Sequence, residues 1–279
     1  CIYHKNCLDG RGSAAVVARL HPDADFLPMQ YGSKRPTVEG RKVYMVDFGL
    51  PAPDMRAIRA EASEFIWIDH HASQLAVQKT LGWGVLDTGE CGTSLTWKQL
   101  FPDQAAPPVV AYIRDKDLWQ WRLPDSRAIA AGLEASFPKD LFRGLLEVDL
   151  TLMAERGRPL VAAQAARIAE LAKSGVVITD PYGLVGKRAL AVITKSDFND
   201  LGEHICIPQA AGGLGFDLAI LYYQKPDRRW VHSLRSTGGD TPTADCAIIA
   251  AARGGGGHPT SACYITDEPL VPQGVLPPR

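Results

Sequence analysis

Apolar residues run unbroken from Phe65 to Ile68 in "EFIWIDHH", and the run stops abruptly on Asp69, His70 and His71. A strand without polar alternation is one with both faces covered, as in a parallel sheet between helices. "CIYH" and "KVYMVDF" have the same texture, while "GSAAVVARL" and "APDMRAIRAEA" carry helical spacing, the second with a Pro and Asp start. This succession over roughly the first 120 residues is βαβ and predicts a mostly parallel sheet. A helical block follows in "GTSLTWKQLF", "PPVVAYIRDKDLW" and amphipathic turns through Met153, and "PLVAAQAARIAELAKSG" (159–175) predicts a connecting helix that closes on Gly175. The texture then changes to strands, "ALAVIT", "DLAILYY" and "RWVHSLRS", with a helical "NDLGEHICIPQAA" between the first two and a charged hairpin turn at "KPDRRW". The expected architecture is α/β. A mostly parallel-sheet N-terminal domain (1–152) leads through a helical linker (153–181) to a smaller α+β domain (182–279), whose end "EPLVPQGVLPPR" reads as a tail.

Composition narrows the function classes. The chain has 279 residues, 46% hydrophobic, with a formal net charge of −1, so it lacks the basic field that holds long duplex nucleic acid. Its six cysteines (Cys1, Cys7, Cys91, Cys206, Cys246, Cys263) include no C-x-x-C pair, which argues against a disulfide framework or thiolate zinc knuckle and favours a reducing, cytoplasmic setting. No apolar run approaches the ~20 residues that span a bilayer, so no membrane partner is expected. Cys1 runs straight into the first strand, which reads as a start cropped by a few residues rather than a lipid-modified cysteine.

The candidate chemistry lies at the strand ends. "CIYH" ends in His4 with Asp9 shortly after, "VYMVDF" delivers Asp47, and "FIWIDHH" delivers Asp69, His70 and His71; Asp115 and Asp117 in "YIRDKDLW" follow another apolar run and could return to the same rim. The carboxyl edge of a parallel sheet is where ligands bind. Crowded carboxylates repel and protonate unless cations sit among them, so Asp9, Asp47 and His70 together point to a metal site. A lone strand-end Asp is more often a helix cap, but three strand ends agree. Mixed carboxylate and imidazole donors suit Mn²⁺, Zn²⁺ or Fe²⁺ better than Ca²⁺.

Further on, Gly254 to Gly257 would let backbone N–H groups approach a phosphate or base closely, with His258 next to them, and Arg235 is a natural bidentate phosphate clamp. Cys91 and Ser94 in "ECGTSLTW" invite a nucleophile reading, but a capped helix start at Thr93 or Ser94 explains them more simply.

The order H-x4-D-G, V-D-F, D-H-H and an Asp in "IRDKDLW", with "RWVHSLRS" and "GGGGHPTSA" after them, resembles the DHH phosphoesterase superfamily with its DHH-associated C-terminal domain, nearest the oligoribonuclease and cyclic-nucleotide phosphodiesterase branch. The resemblance covers nearly the whole chain. It implies a hydrolase with two divalent ions, usually Mn²⁺, and an active site in the cleft between the domains. Carried over by position, Asp47 bridges both ions, His4 binds one, and Asp9, His70 and Asp115 bind the other, with Asp117 the alternative to Asp115. Asp69 orients an imidazole and His71 donates to the phosphate. Arg235, Ser236, Gly255, Gly256, Gly257 and His258 hold the substrate, a short single-stranded oligonucleotide or a dinucleotide, and a homodimer is admissible. Alternatives are a phosphatase acting on pyrophosphate, polyphosphate or a nucleotide bisphosphate, and a nucleotide-binding sensor with impaired catalysis. The chain departs from the family pattern at Asn6 and Cys7, where a second acid is usual, which leaves the His4 ion loosely held.

Overall fold

The computed structural model describes residues 1–237 and 241–269, so most of the Pro-rich tail, from residue 270 on, lies outside the described residues. The chain forms two compact units, Cys1–Ala162 and Ala163 onward.

In the first unit, strands β1 (Ile2–His4), β2 (Leu27–Met29), β3 (Lys42–Val46), β4 (Glu64–Asp69) and β5 (Val85–Leu86) form one sheet in the order β2-β1-β3-β4-β5, parallel throughout. Around it run α1 (Leu8–Leu20), α2 (Ala52–Glu61), α3 (Leu75–Leu81), α4 (Gly92–Leu100), α5 (Pro108–Asp117), α6 (Ser126–Ser136) and the first part of α7 (Leu150–Lys173). The unbroken apolar runs follow from the pleat. Tyr3, Tyr44, Val46 and Ile68 pack with α1, α4 and α5 on one face, while Ile2, Val43, Met45 and Trp67 pack with Met55 and Ile58 of α2 on the other. Register pairs Tyr3 with Val46 and Val46 with Ile68, so the residues that follow, His4, Asp47 and Asp69, emerge together at one edge.

The second unit carries β6 (Val176–Thr179), β7 (Arg188–Ile193), α8 (Phe198–Cys206), β8 (Leu218–Gln224), β9 (Trp230–Arg235), α9 (Cys246–Ala251), β10 (Gly256–His258) and β11 (Ser261–Thr266). Its sheet runs β10-β11-β9-β8-β7-β6, mixed, with β7 and β8 the parallel pair. Ile168 and Ala172 of α7 pack with Leu201 and Ile205 of α8 on one face, and Ile249 of α9 lies on the other, among Ile220, Leu234 and Tyr264.

The structure differs from the sequence reading in two places. The connecting helix begins at Leu150, not 159, and carries Pro159 inside it. The segment 176–179, read as connector, is a half-buried strand paired antiparallel to β7. Among the described residues no helix is long and apolar enough to cross a membrane.

Candidate metal centre

His4 is the last residue of β1, and Gly10 allows α1 to begin directly against it, since a Cβ at Gly10 would stand 2.2 Å from the His4 carbonyl oxygen. Asp47 follows β3 in the left-handed region, at φ 52°, a strained setting for a non-glycine residue and one that recurs at functional sites. Asp69 ends β4, and its Oδ1 accepts from the backbone N–H groups of His70 (2.7 Å) and His71 (3.2 Å) and lies 2.7 Å from His71 Nδ1. One carboxylate thus fixes the turn after the strand and the tautomer of the second imidazole, leaving its Nε2 for a ligand or phosphate.

The structure gathers these groups into two overlapping triads, His4–Asp47–His71 and Asp9–Asp47–His70, in each of which one donor atom per residue lies within 4.8 Å of the others. His70 Nε2 stands 3.1 Å from Asp47 Oδ1 and 3.5 Å from both Asp9 Oδ2 and Asp117 Oδ2, and His4 Nδ1 is 3.7 Å from Asp47 Oδ2. Asp47 and Asp9 are 0% and 1% exposed. Asp9 also caps α4, whose Gly92 and Thr93 N–H groups donate to its two oxygens at 2.5 and 2.8 Å. Gly92 is required there, because a Cβ would meet the Asp47 Cβ at 2.5 Å.

The electrostatics are those of a site built around positive charge. Burial, then the Asp47 and Asp117 carboxylates, push Asp9 well above the usual carboxylate range, and burial and Asp47 push Asp117 up. His70, although burial opposes its charge, is raised to about 10 by Asp47 and Asp9. Burial likewise opposes ionisation of Asp47, yet His4 and His70 hold it well below the usual range. Both Asp47 oxygens and His4 Nδ1 are buried without a hydrogen-bond partner among the described residues. Carboxylate oxygens crowded into a buried cluster are costly without cations, and the donor set of carboxylates and imidazoles could hold a divalent metal ion.

Asp115 does not join the cluster. Its carboxylate accepts from Arg122 N–H (3.0 Å), Leu123 N–H (3.3 Å) and the Ser126 hydroxyl (2.5 Å), binding the end of α5 to the start of α6, and Asp117 stands beside His70 in its place. Asn6 is exposed at φ 57°, a left-handed turn position that asparagine suits. Cys7 precedes α1, and burial, then Asp47, Asp9 and Asp117, push its thiol well up, so without a cation it stays neutral. Cys91 and Ser94 form a capping box on α4.

In the second unit, the Arg235 guanidinium is held by neutral acceptors, Asn199 Oδ1 (2.9 and 3.0 Å), Ser233 Oγ (2.9 Å) and the Leu234 carbonyl (2.8 Å). Ser236 is buried beside Cys246. The glycine run forms an edge strand rather than an open loop: Gly256–His258 pairs with β11, and a Cβ at Gly255 would strike the Cys263 carbonyl oxygen at 2.1 Å. His258 is exposed.

The sequence reading missed Tyr31 and Gly92. Tyr31 sits in the loop after β2 with its ring centroid 5.6 Å from His4 and 6.3 Å from His71. A three-residue strand gives too little periodicity to reveal that loop's position. Gly92 stood in view beside Cys91, but only the fold brings it against Asp47.

No protein-family model matches the chain. Among curated proteins, the uncharacterized protein R106 of Acanthamoeba polyphaga mimivirus is 24% identical over 92% of this chain and 65% of its own length, so the chain spans just under two thirds of that relative. Solved structures are similar along most of the chain. An exopolyphosphatase-related protein from Bacteroides fragilis has a TM-score of 0.59 at 13% identity, over 96% of this chain and 86% of the other. The pGpG-specific phosphodiesterase PggH from Vibrio cholerae has 0.54 at 10%, over 95% and 92%. The DHH domain of a member of a family of ribosomal proteins has 0.52 at 14%, over 95% and 81%. With D-H-H at the end of β4 and a parallel then a mixed sheet in sequence, the chain shares the fold of these solved structures, one of them a DHH domain.

Proposed function

We propose that the protein is a metal-dependent phosphodiesterase acting on short oligonucleotides or dinucleotides. The observation that carries this reading is the sharing of Asp47 between two triads, a donor arrangement suited to a pair of divalent ions astride one phosphate. Such ions, when bound, would supply Lewis-acid polarisation of the phosphate and activation of water. The chain's residues do the rest. Asp9, His70 and Asp117 would hold one ion, His4 and His71 the other, and Asp47 both. Asp69 fixes the His71 ring, whose other nitrogen is free to hold an ion or, when the ring is protonated, to donate to a phosphate oxygen instead. Arg235, Ser236 and the β10 edge with His258 would grip the substrate. The names of two structural neighbours, a pGpG-specific phosphodiesterase and an exopolyphosphatase-related protein, support phosphoester or phosphoanhydride hydrolysis as the general class.

The two halves of the site differ in charge. The His70 side has Asp9 and Asp117 besides Asp47, whereas the His4 side has two imidazoles and Asp47 alone. This difference in charge supports a more loosely held ion beside His4. The test is incubation with Mn²⁺ and a panel of 5′-labelled oligomers, linear and cyclic dinucleotides, pyrophosphate and polyphosphate. Cleavage of dinucleotides ahead of the inorganic substrates is expected. Preference for the anhydrides would replace this reading with a phosphatase, and tight nucleotide binding without cleavage would replace it with a sensor.

A further inference from the structure

Two exposed aromatic residues, Tyr31 against His4 and His71 and Trp119 two residues past Asp117, are used by no step above. Tyr31 is 51% exposed, against 1% for Tyr3, and Trp119 is 37% exposed, against 1% for Trp67. An exposed aromatic ring is costly to leave in water and suits a flat partner. Tyr31 packs on Phe48 (5.2 Å between ring centroids), whose side chain belongs to the sheet face covered by α2, and lies edge-on to His4 and His71. Trp119 follows α5, the helix that packs on the other face of the sheet. It stands two residues past Asp117 on the turn that ends α5, so its Cα lies within about 8 Å of that of Asp117. Its backbone N–H donates to the Lys116 carbonyl, and its ring meets Trp121 edge-on at 5.0 Å, with the Arg127 guanidinium 4.3 Å from the Trp121 ring and 5.8 Å from its own. Both tryptophans adopt positive φ, 54° and 53°, a conformation bulky residues rarely take without a use for the placement.

We propose that Tyr31 and Trp119 form an aromatic bracket that stacks the two bases on either side of the scissile phosphate. This rests on the diesterase reading and deepens it, by naming substrates with a ring on both sides of the reacting phosphorus. A linear dinucleotide satisfies both platforms. A nucleotide bisphosphate offers one ring and an inorganic polyphosphate none. Stacking on an aromatic side chain tolerates any base, so the bracket gives selectivity for rings without selectivity for sequence. Arg127, by holding the Trp121 face, stiffens the platform beneath Trp119.

The test compares Tyr31→Ala, Trp119→Ala, Tyr31→Phe and Trp119→Phe with wild type in the presence of Mn²⁺. Affinities for a non-hydrolysable linear dinucleotide and for inorganic tripolyphosphate are measured by calorimetry, with Mn²⁺ affinity and Tm followed alongside. Each Ala variant should bind the dinucleotide about tenfold more weakly. Tripolyphosphate and Mn²⁺ binding should be unchanged, and the Phe variants should stay close to wild type. Unchanged dinucleotide binding, an equal loss for tripolyphosphate, or a wild type that does not bind the dinucleotide overturns the bracket. Failure of the diesterase reading looks different: wild type binds the dinucleotide, loses that binding in the Ala variants, and cleaves nothing.

Discussion

Gly92→Ala tests the site through a residue that has no side chain to hold an ion. The added methyl carbon would sit 2.5 Å from Asp47 Cβ and 2.9 Å from its Oδ1, whereas ordinary contact begins near 3.4 Å. Either Asp47 or the first turn of α4 must therefore move by about 1 Å, and such a shift in a reacting constellation costs on the order of a hundredfold. Both routes damage the same centre. Moving Asp47 displaces the carboxylate shared by the two triads, and moving α4 drags Asp9, which accepts from the Gly92 and Thr93 N–H groups. Stability should fall less dramatically, by about 1–3 kcal/mol for local overpacking. The assay is Mn²⁺ titration by calorimetry, turnover of a dinucleotide at saturating Mn²⁺ and thermal unfolding, all on one preparation. Wild-type Mn²⁺ affinity and turnover with an unshifted Tm would refute the reasoning, because the close approach would then carry no constraint.

Other consequences separate roles that lie near one another in sequence. Asp115→Ala should lose about 2–4 kcal/mol of stability by stripping acceptors from Arg122, Leu123 and Ser126, while Asp117→Ala should spare Tm and weaken Mn²⁺ binding at least tenfold; unfolding and calorimetric titration read the two apart. Arg235→Ala should raise KM for a dinucleotide by roughly tenfold or more with kcat little changed, as expected for lost phosphate grip, and a fall in kcat alone would contradict it. His232, stacked between Tyr222 and Tyr264, has its pKa lowered to about 4 by burial. Its neutral form is the folded one, so between about pH 6.5 and pH 4 the unfolded chain takes up a proton the folded chain refuses. Stability should therefore fall through that window as pH is lowered, and the Tm gap between wild type and His232→Phe should shift in favour of the variant; a gap independent of pH would exclude this role.

The parts of this protein that were legible in sequence are those in which one local pattern has one physical cause. Unbroken apolar runs announced β3 and β4 because both faces are buried, and the ionisable residues after them drew attention because three strand ends carry them together. The short strands β2 and β5 hold three and two residues, too few to show a period, so the loop that brings Tyr31 to His4 went unseen. The sequence reading put Asp115 ahead of Asp117, but both end the same helix and nothing local separates them, and it is Asp117 that stands beside His70. The choice depends on which carboxylate the backbone of residues 122 and 123 occupies, a contact seven residues away or more. The glycine run was read only for close approach of its N–H groups to a ligand, whereas in the fold the close approach is to β11, which Gly256–His258 pairs as an edge strand.

The double role of Asp9 bears on how the protein is made and stored. Two of its lone-pair positions are already spent on the amino-terminal turn of α4, whose dipole offsets part of its charge, and burial beside Asp47 and Asp117 favours a proton in the same cluster. Helix and proton together can stand in for missing cations. Any metal would then be loaded onto a finished scaffold, unlike a zinc finger whose chain orders only around its ion. Chelation should lower Tm by no more than the mass-action contribution of the released ions, and the stripped protein should recover full affinity on resupply without passing through an unfolded state.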